Sequence, residues 1–210
     1  MDSLGRRCCI VTVGALLVAA AIPTRAAAEE DLCAYGSGDP AIAACTHQIE
    51  SGRFKGHELA VRYSNRGIEW RIKGDYARAF ADYGEAIRLD PKYADAHYNR
   101  CVAHNRKESW DLALTDCNKA IALGPTANAL NATGQEKLSN DRSKSDYFTQ
   151  RGIAYLGKHE IDRAIADFGE ALRLYAKNVS AFNNRARAYE AKGDTARAQA
   201  DRDAAKQLGR

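Results

Sequence analysis

Tyr63 to Pro91 reads YSNRGIEWRIKGDYARAFADYGEAIRLDP. A stretch centred on Gly67 leads to a Lys73-Gly74-Asp75 turn, and an Ala-rich amphipathic stretch follows. The opening recurs at Tyr98-Asn99-Arg100-Cys101, Thr149-Gln150-Arg151-Gly152 and Asn183-Asn184-Arg185-Ala186. Arg66 to Arg100 and Arg151 to Arg185 are steps of 34 residues, and Arg100 to Arg151 is one such step plus 17. A period of this length with paired helical patterns indicates stacked helix-turn-helix repeats. Such repeats bury a core only against their neighbours, and their extended surfaces suit protein partners.

The four copies align into columns. Ala79, Ala113, Ala164 and Ala198 form one, and Ala86, Ala120, Ala171 and Ala205 a second. Leu89, Leu123, Leu174 and Leu208 form a third, and the small residues Gly67, Cys101, Gly152 and Ala186 a fourth. Helix backbones approach closely only where side chains are small, so these columns mark helix–helix contacts. Each repeat arginine lies 16 residues before an aspartate: Arg66 and Asp82, Arg100 and Asp116, Arg151 and Asp167, Arg185 and Asp201. Residues equidistant from the turn of a helical hairpin sit at one height, so an Arg–Asp pair is expected inside every repeat. The other reading of the arginines is a ladder for acidic ligands.

The ends are different in kind. Arg6 and Arg7 precede an apolar run from Cys8 to Ile22, then Ala26-Ala27-Ala28 and the acidic Glu29-Glu30-Asp31. This is the layout of a secretory signal peptide cleaved after Ala28, although an uncleaved anchor has a similar plan. Cleavage removes Asp2, Arg6, Arg7 and Arg25, which takes the formal charge from +4 to +2. No clustered basic face for nucleic acid is expected, nor a membrane partner after cleavage. Asp39-Pro40 predicts a helix start, with Asp39 as N-cap and the helix running from Pro40 to Glu50. The chain divides into a leader (1–28), an N-terminal loop and helix (29–59), repeats one and two (60–127), a polar insertion (128–144) and repeats three and four (145–210). The insertion reads as a surface loop with one weak helical turn.

Four cysteines follow the leader: Cys33, Cys45, Cys101 and Cys117. An even count on an exported chain points to disulfides. Cys101 and Cys117 have the same separation as the Arg–Asp pairs. Their columns hold Gly67 with Tyr83 in the first repeat and Gly152 with Phe168 in the third, where a small residue makes room for a ring. Two thiols fill that volume in the second repeat, which predicts Cys101–Cys117 and leaves Cys33–Cys45. The histidines, His47, His57, His97, His104 and His159, are scattered and suggest no metal site. No catalytic set and no cofactor motif is present.

These copies resemble the tetratricopeptide repeat family over 60–127 and 145–210. The resemblance implies an all-α fold, antiparallel helix pairs stacked as a right-handed α-solenoid, with the disulfide-tied N-terminal helix in front. It implies a non-enzymatic scaffold whose concave groove, lined by the first helix of each repeat, binds a protein or peptide. The segment with Cys33 and Cys45 looks like the lead-in of small exported bacterial proteins of this family, which places the chain in the periplasm or outside the cell. The expected groove residues are Asn65, Ile68 and Arg71; Tyr98, Asn99, Val102 and Arg106; Gln150 and Ile153; Asn184 and Arg187. Ser64, Asp95, Asn105, Thr149 and Ser180 share these faces. Asn65, Asn99, Gln150 and Asn184 form an amide column that serves either a peptide backbone or the neighbouring helices. Tyr98 and Asn99 are expected to face outward. Some members of the family grip a terminal carboxylate with a Lys/Asn/Lys/Arg clamp; here Ser64, Ile68, Asp146 and Gln150 stand at its positions, with Asn99 the one match. The alternative to a free scaffold is a structural subunit whose groove a neighbouring chain fills permanently, and the oligomeric state is open.

Overall fold

The computed structural model describes residues 32–125 and 134–209. The expected leader and its cleavage site lie outside them, as do residues 126–133 of the insertion. A helical turn at 32–35 precedes α1 (Gly38–Glu50). The four repeats are α2 (Gly56–Ile72) with α3 (Tyr76–Leu89), α4 (Ala94–Arg106) with α5 (Trp110–Leu123), α6 (Gly134–Gly157) with α7 (Ile161–Leu174), and α8 (Val179–Ala191) with α9 (Thr195–Leu208). Each helix packs on the next in the chain, and the first helices of successive repeats also touch. The described residues contain no strand. The fold is the expected all-α solenoid of stacked hairpins.

The turns explain where the helices end. Gly74, Glu108, His159 and Gly193 occupy one column, and all four have φ between 55° and 83°. This left-handed conformation suits glycine and strains a residue with a Cβ. Asp75 and Asp194 then cap the second helices, accepting from the Arg78 and Arg197 backbone N–H groups.

Above the turn each hairpin closes at one height. Arg66 makes two parallel hydrogen bonds to Asp82 at 2.8 and 2.9 Å. Arg100 with Asp116, Arg151 with Asp167 and Arg185 with Asp201 repeat the fork at 2.7–2.8 Å. The hydrogen bonds to their aspartates raise the pKa of Arg66, Arg151 and Arg185 against the cost of burial. One residue on, the small column meets the ring column. A Cβ on Gly67 would lie 2.7 Å from the Tyr83 ring, and one on Gly152 2.6 Å from Phe168. In the second repeat the same places hold the Cys101–Cys117 disulfide, Cα atoms 5.4 Å apart.

α1 packs on α2 in the way the second helix of a repeat packs on the first helix of the next. Arg66 Nη1 donates to Thr46 at 3.1 Å, as Arg151 Nη1 donates to Asn118 at 2.9 Å. Thr46 follows Cys45 and Asn118 follows Cys117, so Cys45 stands in the ring column. Its disulfide to Cys33, Cα atoms 4.7 Å apart, ties the helical turn at 32–35 to α1.

Two expectations are corrected. α1 begins at Gly38, not Pro40, and Asp39 is not its cap: Glu69 Oε2 accepts from the Gly38 N–H at 2.6 Å, while Asp39 pairs with Lys73. The insertion is not a loop over its second half. α6 starts at Gly134 and runs for 24 residues, about 36 Å, into the first helix of the third repeat. Gln, Glu, Lys, Leu and Arg are good helix formers, and a helix already anchored at its packed end extends without a new nucleation cost.

Gly152→Ala is expected to cost about 1–3 kcal/mol, because the Phe168 ring has no room to retreat. His159→Gly should stabilise by about 0.5–1 kcal/mol, the left-handed penalty less glycine's entropy. Chemical denaturation of both variants checks the pair. A neutral Gly152→Ala, or a destabilising His159→Gly, contradicts the packing described.

Candidate functional site: a cavity between the first helices

A cavity of about 300 Å³ lies between the first helices of repeats two, three and four. α4 contributes Val102, Asn105 and Arg106, α6 contributes Gln150 and Ile153, and α8 contributes Ser180, Asn184 and Arg187. These side chains converge because residues three and four apart share one helix face. Asn105 Nδ2 donates to the Gln150 carbonyl at 2.9 Å and to Gln150 Oε1 at 3.0 Å, which joins α4 to α6 across the cavity wall. Asn184 bonds back to the Ser180 carbonyl at 2.9 Å and accepts from Arg187 at 3.1 Å.

Six of the expected groove residues therefore come together here: Val102, Arg106, Gln150, Ile153, Asn184 and Arg187. Asn65, Ile68, Arg71, Tyr98 and Asn99 do not line this cavity. Ile68 packs beside the Ala79, Tyr83 and Ala103 cluster. Arg71 leaves its buried Nε without a hydrogen-bond partner; its charge and proximity lower the Tyr83 phenol, yet burial prevails and pushes that group up to about 12. Tyr98 and Asn99, expected from sequence to face outward, are half-buried instead. Tyr98 packs its ring at a tilt against the buried Tyr147 ring, centroids 4.9 Å apart, and Asn99 donates to the buried Ser64 hydroxyl at 3.1 Å. The amide column thus splits: Asn99 and Gln150 join helices, while Asn184 bonds within its own helix. Asp95 accepts from Tyr147, and Asp146 accepts from Asn178, so the acids of this face serve the stack.

A second polar cluster belongs to the second repeat alone. His97 Nδ1 lies 3.4 Å from Asp116 Oδ1 and His104 Nε2 3.7 Å from Asp116 Oδ2, beside the Arg100 fork. His97 stands in the column of Tyr63, Phe148 and Phe182, and His104 in that of Trp70, Tyr155 and Tyr189. In the third and fourth repeats these rings flank the paired arginine at 5.2–5.9 Å. The histidines are therefore placed by packing, with Phe80 stacked on His104 at 4.5 Å. Read singly in the sequence they look scattered; read by column they are the two aromatic positions. Burial pushes Asp116 up, but hydrogen bonds from His97 and Arg100 hold it below its ordinary value. Burial also holds His104 below its ordinary value, Asp116 opposing and Arg100 assisting. Among the described residues no group of three His, Cys, Asp or Glu side chains is placed to hold a metal ion, and no helix is long and apolar enough to cross a membrane.

Residues 69–107 match a family model described as TPR repeat, and residues 149–209 match one described as tetratricopeptide repeat. With the hairpin geometry, these matches show that the chain carries tetratricopeptide repeats. Stress-induced-phosphoprotein 1 of Caenorhabditis elegans is 38% identical over 66 residues, 31% of this chain and 21% of that protein. Mitochondrial import receptor subunit TOM70 of Mus musculus is 29% identical over 152 residues, 68% of this chain and 24% of that protein. The chain thus spans about a quarter or less of these relatives. Among solved structures, MamA from Desulfovibrio magneticus RS-1, residue 41 to the end, superposes with a TM-score of 0.66 at 16% identity, over 87% of this chain and 91% of that one. The first TPR of Spaghetti (RPAP3), bound to the HSP90 peptide SRMEEVD, gives 0.55 at 24% identity, over 68% and 99%. At these identities the likeness is one of fold.

The histidine cluster predicts a pH dependence. His104 binds a proton less readily folded than unfolded, so its contribution is full above about pH 6.5 and is lost as pH falls toward its depressed folded value. Asp116, also depressed, adds a loss of the same sign at lower pH. The urea midpoint should fall between about pH 7.5 and about pH 5.5, and fall less in His104→Tyr, which restores the ring of the third and fourth repeats. Equal falls in the two proteins would assign the loss to other groups.

Proposed function

We propose that this chain is a non-catalytic scaffold, exported from the cytoplasm, that binds an extended segment of another protein across its first helices. The observation that carries the reading is the cavity between α4, α6 and α8. It is lined by apolar side chains from two helices and polar ones from all three, with room for a peptide side chain. Stacked repeats present such surfaces without any reacting group. The tetratricopeptide domain of RPAP3, alike in fold, is bound to the HSP90 peptide SRMEEVD. The cavity gathers expected groove residues of repeats two, three and four and none of repeat one. Ser64 at the family's clamp position is buried and bonded to Asn99, so the terminal-carboxylate clamp is not the mode proposed.

Export is supported by the two disulfides, which persist in oxidising compartments, and by the basic, apolar and small-residue order of the first 28 residues. N-terminal sequencing of exported protein should begin at Glu29; retention of residues 10–22 overturns that half of the proposal.

The binding half is tested with immobilised mature protein and envelope extract. Ser180 is exposed at the cavity rim, so Ser180→Trp fills the space without touching the core. A protein retained by the native chain and weakened at least about ten-fold, ~1.4 kcal/mol, by Ser180→Trp is the expected result. Retention unchanged by Ser180→Trp places binding elsewhere on the solenoid. Purified mature protein that forms a stable oligomer, dissociated by Ser180→Trp, would instead mean that a neighbouring chain fills the cavity.

A further inference from the structure

The cavity between α4, α6 and α8 is lined by two arginines and by no acidic residue. Several cations of the described residues are matched by acids: the four repeat arginines by their aspartates, Arg88 by Glu85, Arg173 by Glu170, Arg202 by Glu190, and Lys158 by Asp111. Arg106 and Arg187 are exposed, line one cavity from α4 and α8, and make no ion pair among the described residues. None of the eight lining residues is acidic. Their columns show that the charge is local. Arg106 stands where the other repeats have Ile72, Gly157 and Ala191, and Arg187 where they have Ile68, Val102 and Ile153. Neither is a product of the repeat.

A second observation concerns hydrogen bonding. Asn105 lines the same cavity and is 7% exposed, and its buried Oδ1 has no hydrogen-bond partner. Its Nδ2 is fully engaged with Gln150. A buried acceptor without a donor is costly, and most such groups are paired in folded proteins. A ligand N–H entering the cavity supplies the missing donor. Val102 and Ile153 supply apolar wall on the same side.

We propose that the cavity between α4, α6 and α8 binds an extended peptide through an acidic side chain, held between Arg106 and Arg187, with a peptide N–H donated to Asn105 Oδ1. The inference deepens the scaffold reading and rests on it. A guanidinium matches a carboxylate in charge and in planar fork geometry. The unmet acceptor on Asn105 distinguishes a peptide from a bare anion, which has no proton to donate there. Small aliphatic residues beside the acid fit the Val102 and Ile153 wall.

The test uses purified, oxidised mature protein and labelled octapeptide pools. Each pool has one central residue fixed as Glu, Gln or Lys, with mixed Ala, Val and Ser at the other positions. Fluorescence polarisation is read up to millimolar protein. The Glu pool should bind at least about ten-fold more tightly than the Gln pool, ~1.4 kcal/mol, and the Lys pool weakest. The preference should vanish in Arg106→Gln/Arg187→Gln, whose helicity and disulfides should be unchanged because both side chains are exposed. Equal binding of the Glu and Gln pools, or an acid preference that survives the double variant, overturns this inference and leaves peptide binding standing. No binding by any pool, with Ser180→Trp also without effect on capture from extract, overturns the scaffold reading and this inference together. Inorganic phosphate that protects the cavity from peptide no better than chloride at equal ionic strength is expected. Phosphate binding as tight as the Glu pool would make the site one for a bare anion and overturn the peptide assignment.

Discussion

Everything in this solenoid depends on how closely two antiparallel helices approach within one repeat. The approach is fixed at a single height by two neighbouring contacts. One is the Arg–Asp fork, four times repeated at 2.7–2.9 Å. The other is the small residue beside it, which in the first three repeats leaves space for a ring or a disulfide from the facing helix. Both partners of the fork are largely buried, Asp116 with 5% of its side chain exposed. A buried ion pair adds little net stability, yet losing one partner strands a charge. The fork therefore acts on register: a hairpin slipped by one turn loses both hydrogen bonds and drives the ring into the opposite backbone. With register set, the Ala columns bring neighbouring hairpins together, and the first helices line up to form the cavity.

The second repeat is the variant on this plan. Its ring is replaced by Cys101–Cys117, and its two arginine-flanking aromatic positions by His97 and His104. The same repeat supplies Val102, Asn105 and Arg106 to the cavity. Covalent closure of that hairpin holds α4 in place from behind while its other face lines the cavity. The N-terminal segment uses the same device, with Cys33–Cys45 tying the helical turn at 32–35 to α1.

What repeats in the structure was legible in the sequence. Four copies of one contact leave four aligned residues, and the period alone predicts the hairpins, the Arg–Asp forks and the small column. Cys101 and Cys117 were legible for the same reason, since they occupy two known columns. Contacts made once leave no such trace. Glu69 capping α1, Asn99 meeting Ser64 and Asn105 meeting Gln150 are single events between unlike residues. That is why the groove residues divided, with Tyr98 and Asn99 turned into inter-repeat contacts. The helical second half of the insertion was hidden because its polarity resembles a loop, whereas its stability comes from the packed helix it extends.

Hairpin register rests on the coupling within the fork, and a double-mutant cycle on Arg151 and Asp167 measures it directly. Arg151→Met and Asp167→Leu alone should each cost about 3 kcal/mol or more, because each leaves a partly buried charge without its partner. Together they should cost at least about 1.5 kcal/mol less than the sum, within the range found for residues in direct contact. Single costs that add to within about 0.5 kcal/mol would mean the two residues act independently, and that the register of the hairpin is set by something other than this pair.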